Sequence, residues 1–434
     1  MPIHPTTSEV LAAREQELAV RYARLQKKGL RLDLTRGKPS PQQLALADGL
    51  DGALDGNYRS PDGVDVRNYG GLDGLPAARQ LGARILGVPE RDVIAGGNAS
   101  LTFMYQYLLN AWLHGPLGPE TAWRREAGAT RFLCIVPGYD RHFTITESLG
   151  FEMLTVRMLE DGPDMDEVER LVAGDPSIKG IWCVPKYQNP TGHTFSDDTV
   201  RRMSRLGTIA GPNFRIMWDN AYAVHDLHDD PPALLDIMDC CRAAGTPDSV
   251  VLFASTSKIT RAGAGISFMA ASPGNLARFK KHLGVQTIGP DKLNQLRHVR
   301  FLPDAEAVRA LMRAHAAIVR PKFERVLRYL DEGLTGSADW TRPRGGYFIS
   351  VDVIPGTARE VVRLAGEAGV KLTPAGATFP YKHDPADANI RLAPTYPSLD
   401  EIDQAMPVFV TAVQLAAVRR RLLHGAAPQT PGKP

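Results

Sequence analysis

Four short apolar runs, Phe132–Val136, Gly180–Val184, Ile216–Trp218 and Val250–Ala254, each end in a polar cluster. The first leads into Pro137-Gly-Tyr139-Asp-Arg141-His142, the second into Pro185-Lys-Tyr-Gln-Asn189-Pro-Thr-Gly192. The third leads into Asp219-Asn-Ala-Tyr222 and the fourth into Ser255-Thr-Ser-Lys258. A fifth cluster, Gly96-Gly97-Asn98-Ala99-Ser100, stands before a helix expected to start near residue 100. A helix N-terminus opened by glycines offers free N–H groups and a positive dipole end, which suit a phosphate. A lysine at a buried strand end can act as an amine nucleophile or base well below its ordinary pKa of about 10.4. A buried aspartate needs a cationic partner, and a protonated pyridine nitrogen is one. A phosphorylated pyridine aldehyde held by the lysine as a Schiff base meets all three demands. That molecule is pyridoxal 5′-phosphate (PLP). Each cluster alone also reads as ordinary structure: Asn189-Pro-Thr-Gly192 as a turn, Asp219 as a cap, Ser255-Thr-Ser-Lys258 as a solvated loop, Gly96-Gly97 as a tight turn. Their conjunction in this order carries the chemistry.

The elements that must position these clusters follow from the pattern. The four runs do not alternate and are rich in Val, Ile and Phe, which suits strands buried on both faces. Strands interleaved with helical stretches imply an α/β fold with a mostly parallel sheet, whose ligands sit at the strands' carboxyl ends. Residues 8–28 read as a helix, with Leu11, Leu18, Tyr22 and Leu25 at helical spacing and Thr7-Ser8 as its cap. After residue 300 a long helix is expected over 304–330, then a strand in Gly345–Val351, a helix near 358–369, a strand at Asn389–Leu392 and a last helix near 399–423. The expected division is an N-terminal arm with part of a small domain (1–48), a large domain (49–302), a small α+β domain (303–424) and a disordered tail (425–434).

The chain has 434 residues, of which 43% are hydrophobic and 23% charged, with a net charge of +3. That balance excludes disorder and gives no support to nucleic-acid or membrane-surface binding by charge. No apolar run is long enough for a transmembrane helix, and the N-terminus lacks the form of a signal peptide. Cys134, Cys183, Cys240 and Cys241 fit neither a zinc site nor a disulfide framework, so a reduced, cytoplasmic location is expected. His225-Asp-Leu-His228-Asp-Asp has metal-like composition but reads as a solvated loop. Arg419-Arg-Arg421 suits the dipole at the end of the last helix.

The clusters resemble those of the class I aminotransferases of PLP fold type I. Tyr69-Gly-Gly-Leu-Asp-Gly-Leu-Pro76, Asn189-Pro-Thr-Gly192, Asp219-Asn-Ala-Tyr222, Ser255-Thr-Ser-Lys258 and Ile390-Arg391-Leu-Ala393 run in that family's order across roughly residues 30–425. Asp33-Leu-Thr-Arg36-Gly37-Lys-Pro39, Pro137–Phe143, Asp219–Leu227 and Gly289–Phe301 narrow the resemblance to a divergent bacterial branch of aspartate aminotransferases, sometimes called subgroup Ic. The resemblance implies a large domain with a mostly parallel seven-stranded sheet between helices, a smaller α+β domain and a homodimer. It implies that Lys258 holds PLP and moves the proton between the substrate's α-carbon and the cofactor. Asp219 keeps the pyridine nitrogen protonated, with His142 behind it. Tyr222 and Asn189 bond the cofactor's 3′-oxygen. Tyr139 stacks on the ring, or is a core tyrosine. Asn98, Ala99, Ser100 and Ser255 cradle the phosphate, which Tyr69 reaches from the other subunit. Arg391 clamps the substrate's α-carboxylate in a fork that lysine could not replace, and Gly37 approaches it by its backbone.

Two departures stand out. The family's phosphate-binding arginine after the lysine falls here on Gly265 or Ile266, with Arg261 as a possible substitute. The cation for a distal carboxylate is open: Arg36, Arg141 and Arg297 come first, then Lys38 and Lys186, and each also reads as a surface or structural charge. The expected activity is transfer of the amino group of an acidic amino acid, foremost L-aspartate, to 2-oxoglutarate by a ping-pong mechanism. The alternatives are an alanine, aromatic or kynurenine specificity, or a β-decarboxylase, since a scaffold does not choose its reaction. The non-enzymatic alternative is a PLP-binding effector sensor, in stand-alone form, since the about 30 residues before the first motif are too few for a DNA-binding domain in front of it. The Ser-x-x-Lys of serine acyl-enzymes lacks its later partner motifs.

Overall fold

A computed structural model describes residues 7–35, 37–126 and 128–424. Arg36 and the expected tail at 425–434 lie outside the described residues. The strands are β1 (Leu32–Asp33), β2 (Val93–Ala95), β3 (Arg131–Val136), β4 (Glu152–Leu159), β5 (Gly162–Pro163), β6 (Ile178–Cys183), β7 (Arg215–Asp219), β8 (Val250–Ser255), β9 (Ser267–Ala271), β10 (Asp339–Trp340), β11 (Ile349–Asp352), β12 (Val370–Lys371) and β13 (Asn389–Leu392).

Eight of them form one sheet in the order β2-β9-β8-β7-β6-β3-β4-β5. The five neighbours β8, β7, β6, β3 and β4 are all parallel, whereas β9 is antiparallel to β2 and β8. Seven of these strands match the expected count. The eighth, β5, is a two-residue edge piece antiparallel to β4, too short to signal itself by composition. The core explains why the runs do not alternate. Leu133, Ile181, Ile216 and Leu252 face one apolar layer, while Phe132, Trp182, Met217 and Val251 face another. Both faces of the sheet are covered, so apolar residues are favoured at every position.

A second core joins Leu11, Leu18 and Tyr22 of the first helix (Ser8–Gln26) to β11, β13 and the helices at Ala305–Leu334, Ala358–Glu367 and Leu399–His424. The helix Ala305–Leu334 bridges the two cores. Val308 and Met312 pack in the first, and Val319, Phe323, Val326 and Leu330 in the second. At 1.5 Å per residue it runs about 45 Å.

Three local expectations are corrected. Thr7 stands at the first helix's N-cap but its side chain makes no capping hydrogen bond. Only its carbonyl is used, by the amides of Val10 and Leu11. The 225–230 segment is not simply solvated: His225 and Leu227 are buried, because residues 344–346 hydrogen-bond along 225–227. Arg419 does not merely face a helix end. It is ion-paired with Glu15 at 3.0 Å and Glu360 at 3.4 Å, tying the last helix to its neighbours. Among the described residues no helix is long and apolar enough to cross a membrane, and no group of three or more His, Cys, Asp or Glu could hold a metal.

Candidate active site

The parallel strands deliver their polar ends to one region. Asp219 closes β7, and its Oδ2 lies 3.0 Å from His142 Nε2. Both side chains are buried. His142 stands one turn into the helix Asp140–Ser148 and lies flat on Trp182, centroids 4.2 Å apart. Trp182 is itself tied to Thr146 through its indole N–H. The aspartate is therefore braced from behind, and its other oxygen, Oδ1, is buried without a partner. A buried carboxylate oxygen left bare is costly unless something cationic or N–H-bearing meets it.

Lys258 follows β8 and is half-buried. Burial pushes its amine below the usual lysine range, and the charge of Asp219 partly opposes that shift. The amine sits over the ring of Tyr222, 4.9 Å from its centroid. Tyr222 is buried, and burial holds its phenol well above the ordinary value, so it stays protonated and able to donate. Tyr139 packs edge-on to His142 at 4.9 Å and against a small aromatic cluster of Val184, Tyr187, Tyr222, Tyr347, Phe348 and Ala393. Burial raises its phenol pKa too.

Arg391 projects from β13. Its Nη1 lies 3.2 Å from Asn189 Oδ1 and 3.2 Å from Asp140 Oδ1. Its guanidinium lies over the Phe348 ring, 4.8 Å from the centroid. Its Nε is buried and unpartnered. One edge of the fork is thus anchored, with a donor left for an anion. Gly37 lies on Phe348: a Cβ there would stand 2.0 Å from the ring's Cζ. Only glycine lets that backbone approach.

Ala99 is the N-cap of the helix Ser100–His114 and no side chain caps it. Asn98 is fixed from both sides, its Nδ2 donating to Gly263 O at 3.3 Å and its carbonyl accepting from Ser257 Oγ at 2.9 Å. Beside it is a cavity of about 260 Å³ lined by Gly96, Gly97, Asn98, Thr102 and Ser267, among others. Ser255 ends β8 near the same loop, accepting from the amide of Ser257 at 3.4 Å. The missing arginine has a steric reason. A Cβ at Gly265 would lie 2.8 Å from the amide nitrogen of Ser257, and Ile266 is in the core. Arg261 does not replace it here: it is paired with Asp51 at 2.6 Å and Asp48 at 3.5 Å.

The candidate distal cations are dispersed. Lys186 is buried and held by Asp226 at 2.7 Å. Lys38 lies over Tyr396 at 4.0 Å. Arg141 is exposed beside a groove with Thr102, Tyr105 and Thr144. Arg297 is exposed, and its charge acts on Asp51. Tyr69 is 81% exposed and does not enter this chain's own site. Also lining the region are His225, which by sequence reads as part of a solvated loop, and Phe348 and Tyr347, which the sequence does not single out. The Gly345-Gly346 pair before Tyr347 was their available signal, since a Cβ at Gly345 would stand 2.2 Å from the Tyr187 ring.

The strand-end lysine, the braced aspartate and the mostly parallel sheet covered on both faces are those of an aminotransferase of PLP fold type I. The chain matches the aspartate amino-transferase family over residues 6–424, and it belongs to that family. It is 50% identical over 406 residues to the aspartate aminotransferase of Corynebacterium glutamicum, covering 93% of each chain. A crystal structure of an aspartate transaminase from the same species superposes with a TM-score of 0.93 at 47% identity, over 97% of this chain and 100% of that one. The α-aminoadipate aminotransferase of Thermus thermophilus shares the fold, with a TM-score of 0.70 at 21% identity over 94% and 97% of the two chains.

Proposed function

We propose that this aminotransferase uses PLP and moves the amino group of L-aspartate to 2-oxoglutarate, in two half-reactions. The observation that carries the cofactor reading is Asp219 Oδ1, a buried acceptor with no partner, on an aspartate braced by His142. A protonated pyridine nitrogen is the group that such an oxygen suits. PLP, when bound, supplies an electron-withdrawing ring that makes the substrate's α-proton removable. The chain's residues do the rest. Lys258, its amine less basic through burial, would hold the cofactor by its aldehyde carbon and carry the α-proton. Tyr222, whose ring lies 4.9 Å from the lysine amine, and Asn189, held by Arg391, would be the polar partners of the cofactor's ring oxygen. The amides of Asn98, Ala99 and Ser100, at a helix start that no side chain caps, and the hydroxyl of Ser255 would hold the phosphate. Arg391 orients the amino acid by its α-carboxylate.

Aspartate is favoured by the relative named for it at 50% identity. The exposed Tyr69, Val285 and Ile288 support a homodimer in which Tyr69 reaches the partner's phosphate site. The test is the visible spectrum of the PLP-loaded protein before and after L-aspartate alone. A band that collapses with release of oxaloacetate supports the reading. A band that ignores aspartate but responds to alanine or an aromatic amino acid keeps the cofactor and overturns the substrate. No band at all overturns the cofactor.

A further inference from the structure

We propose that Gln43 and Tyr347 are positioning residues for Lys258, holding the lysine's main-chain carbonyl through a one-way chain of hydrogen bonds. The inference rests on the reading of Lys258 as the reacting amine. It concerns side chains whose hydrogen bonds run to main-chain carbonyls and to each other, not to the lysine's amine.

Lys258 O accepts from Tyr347 Oη at 3.3 Å and from His225 Nε2 at 3.3 Å. The next carbonyl, Ile259 O, accepts from His315 Nε2 at 2.9 Å. A carbonyl has two acceptor sites, so Lys258 O is saturated by side chains. Every role behind it is then forced. A carbonyl cannot donate, so Tyr347 must spend its proton on Lys258 O. Its oxygen accepts from Gln43 Nε2 at 3.2 Å. His315 must carry its proton on Nε2, which leaves Nδ1 as an acceptor. That nitrogen lies 3.0 Å from the same Gln43 Nε2. The two N–H bonds of one amide therefore feed both branches. The amide cannot flip, because Gln43 Oε1 accepts from the amide of Ser40 at 3.0 Å. Gln43, His315 and Tyr347 are all buried, where an unpaired member is costly.

The origin of these groups makes the arrangement a positioning device. Gln43 lies on the short helix Pro41–Ala45, His315 on the helix Ala305–Leu334 and Tyr347 just before β11. None belongs to the sheet that carries Lys258. The lysine's stem is four flexible carbons, so its reach is set at the main chain. The main chain is set by the N-terminal segment and the second core.

The test uses the full-length PLP-loaded protein with Tyr347→Phe, Gln43→Leu and the double variant, each first checked for native melting and circular dichroism. Tyr347→Phe keeps the ring and removes one hydroxyl. Its expected effect is a fall in kcat of about 10-fold with KM for the amino acid unchanged within about threefold, the signature of a misplaced reacting group. The pH midpoint of the bound cofactor's visible absorbance, a readout independent of turnover, shifts by about half a unit or more. Because the two residues act through one carbonyl, the double variant falls no further than about twofold below the worse single. An unchanged kcat and midpoint, or losses that multiply in the double variant, overturn the inference. A wild-type protein without a visible PLP band overturns the cofactor reading beneath it, so the two failures are told apart.

Discussion

Gly37→Ala adds one methyl group where the structure has no space for it. The new Cβ would lie 2.0 Å from Cζ and 2.4 Å from Cε1 of Phe348. Carbon atoms in contact stand about 3.5–4.0 Å apart, so the ring or the Gly37 backbone must yield by roughly 1.5 Å. Phe348 is buried among Tyr222, Tyr347 and Tyr139, and overpacking of this kind costs about 1–3 kcal/mol. The displaced ring is the one beneath the Arg391 guanidinium, 4.8 Å away. Arg391 is also held at Nη1 by Asn189 and Asp140, so its fork is expected to tilt rather than leave. A misplacement of about 1 Å at a substrate-orienting group can cost about 100-fold in rate. The expected result is a fall of about 10- to 100-fold in kcat/KM for the amino acid. PLP affinity is expected to stay within about threefold, because the proposed phosphate contacts at 98–100 lie outside the cluster around this ring. Steady-state kinetics and a fluorescence titration of the PLP-free protein measure the two. A kcat/KM within threefold of wild type would refute the reasoning that Gly37 is required for the approach to Phe348.

Arg391→Lys keeps the charge and loses the fork; at about 1.5–3 kcal/mol for hydrogen bonds to a charged group, KM for the amino acid should rise roughly 10- to 150-fold with PLP binding unaffected. An unchanged KM would remove Arg391 from the carboxylate site. Arg261→Gln should leave the PLP dissociation constant within about threefold, because Arg261 is engaged by Asp51 and Asp48; a large loss of affinity in equilibrium dialysis would make it the phosphate ligand after all. Acid should destabilise the fold through buried neutral histidines. Burial lowers the pKa of His225, His298 and His315, so below about pH 6.5 the unfolded chain takes up protons that the folded one refuses. Stability present above that pH is lost as pH falls, by up to about 1.4 kcal/mol per unit for each histidine. Urea unfolding at pH 7.5 and 5.5 measures it, and equal midpoints would contradict the burial argument.

Much of the sheet was legible because burial on both faces leaves a plain mark, an unbroken apolar run. All four runs became strands, and the long helices were placed to within a few residues. The polar strand ends were legible for a related reason. A parallel sheet sends its carboxyl ends to one side, so residues 83 and 119 positions apart, Tyr139 with Tyr222 and with Lys258, could be grouped without knowing the packing. What sequence could not show was pairing. Lys186 stood as a free cation in the sequence, yet Asp226, forty residues on, holds it at 2.7 Å. His225 sat among acidic and polar neighbours that read as solvent-facing, yet the 344–346 segment buries it.

The same limit explains why Gln43 was silent. As a residue type it is an ordinary helix former, and locally it does no more than complete a capping box with Ser40. Its significance lies in two N–H bonds aimed at residues 272 and 304 positions away. No periodicity or local motif encodes such a contact, because it exists only once the short helix Pro41–Ala45 and the long bridging helix have packed. Lys258 is thus specified twice by different physics. Its place at the end of β8 is set by hydrophobic patterning, which is written locally. The orientation of its peptide is set by a polar network closed across both cores, which is written nowhere in particular. A sequence that kept Ser255-Thr-Ser-Lys258 intact but lost the amide at 43 would retain the first specification and lose the second.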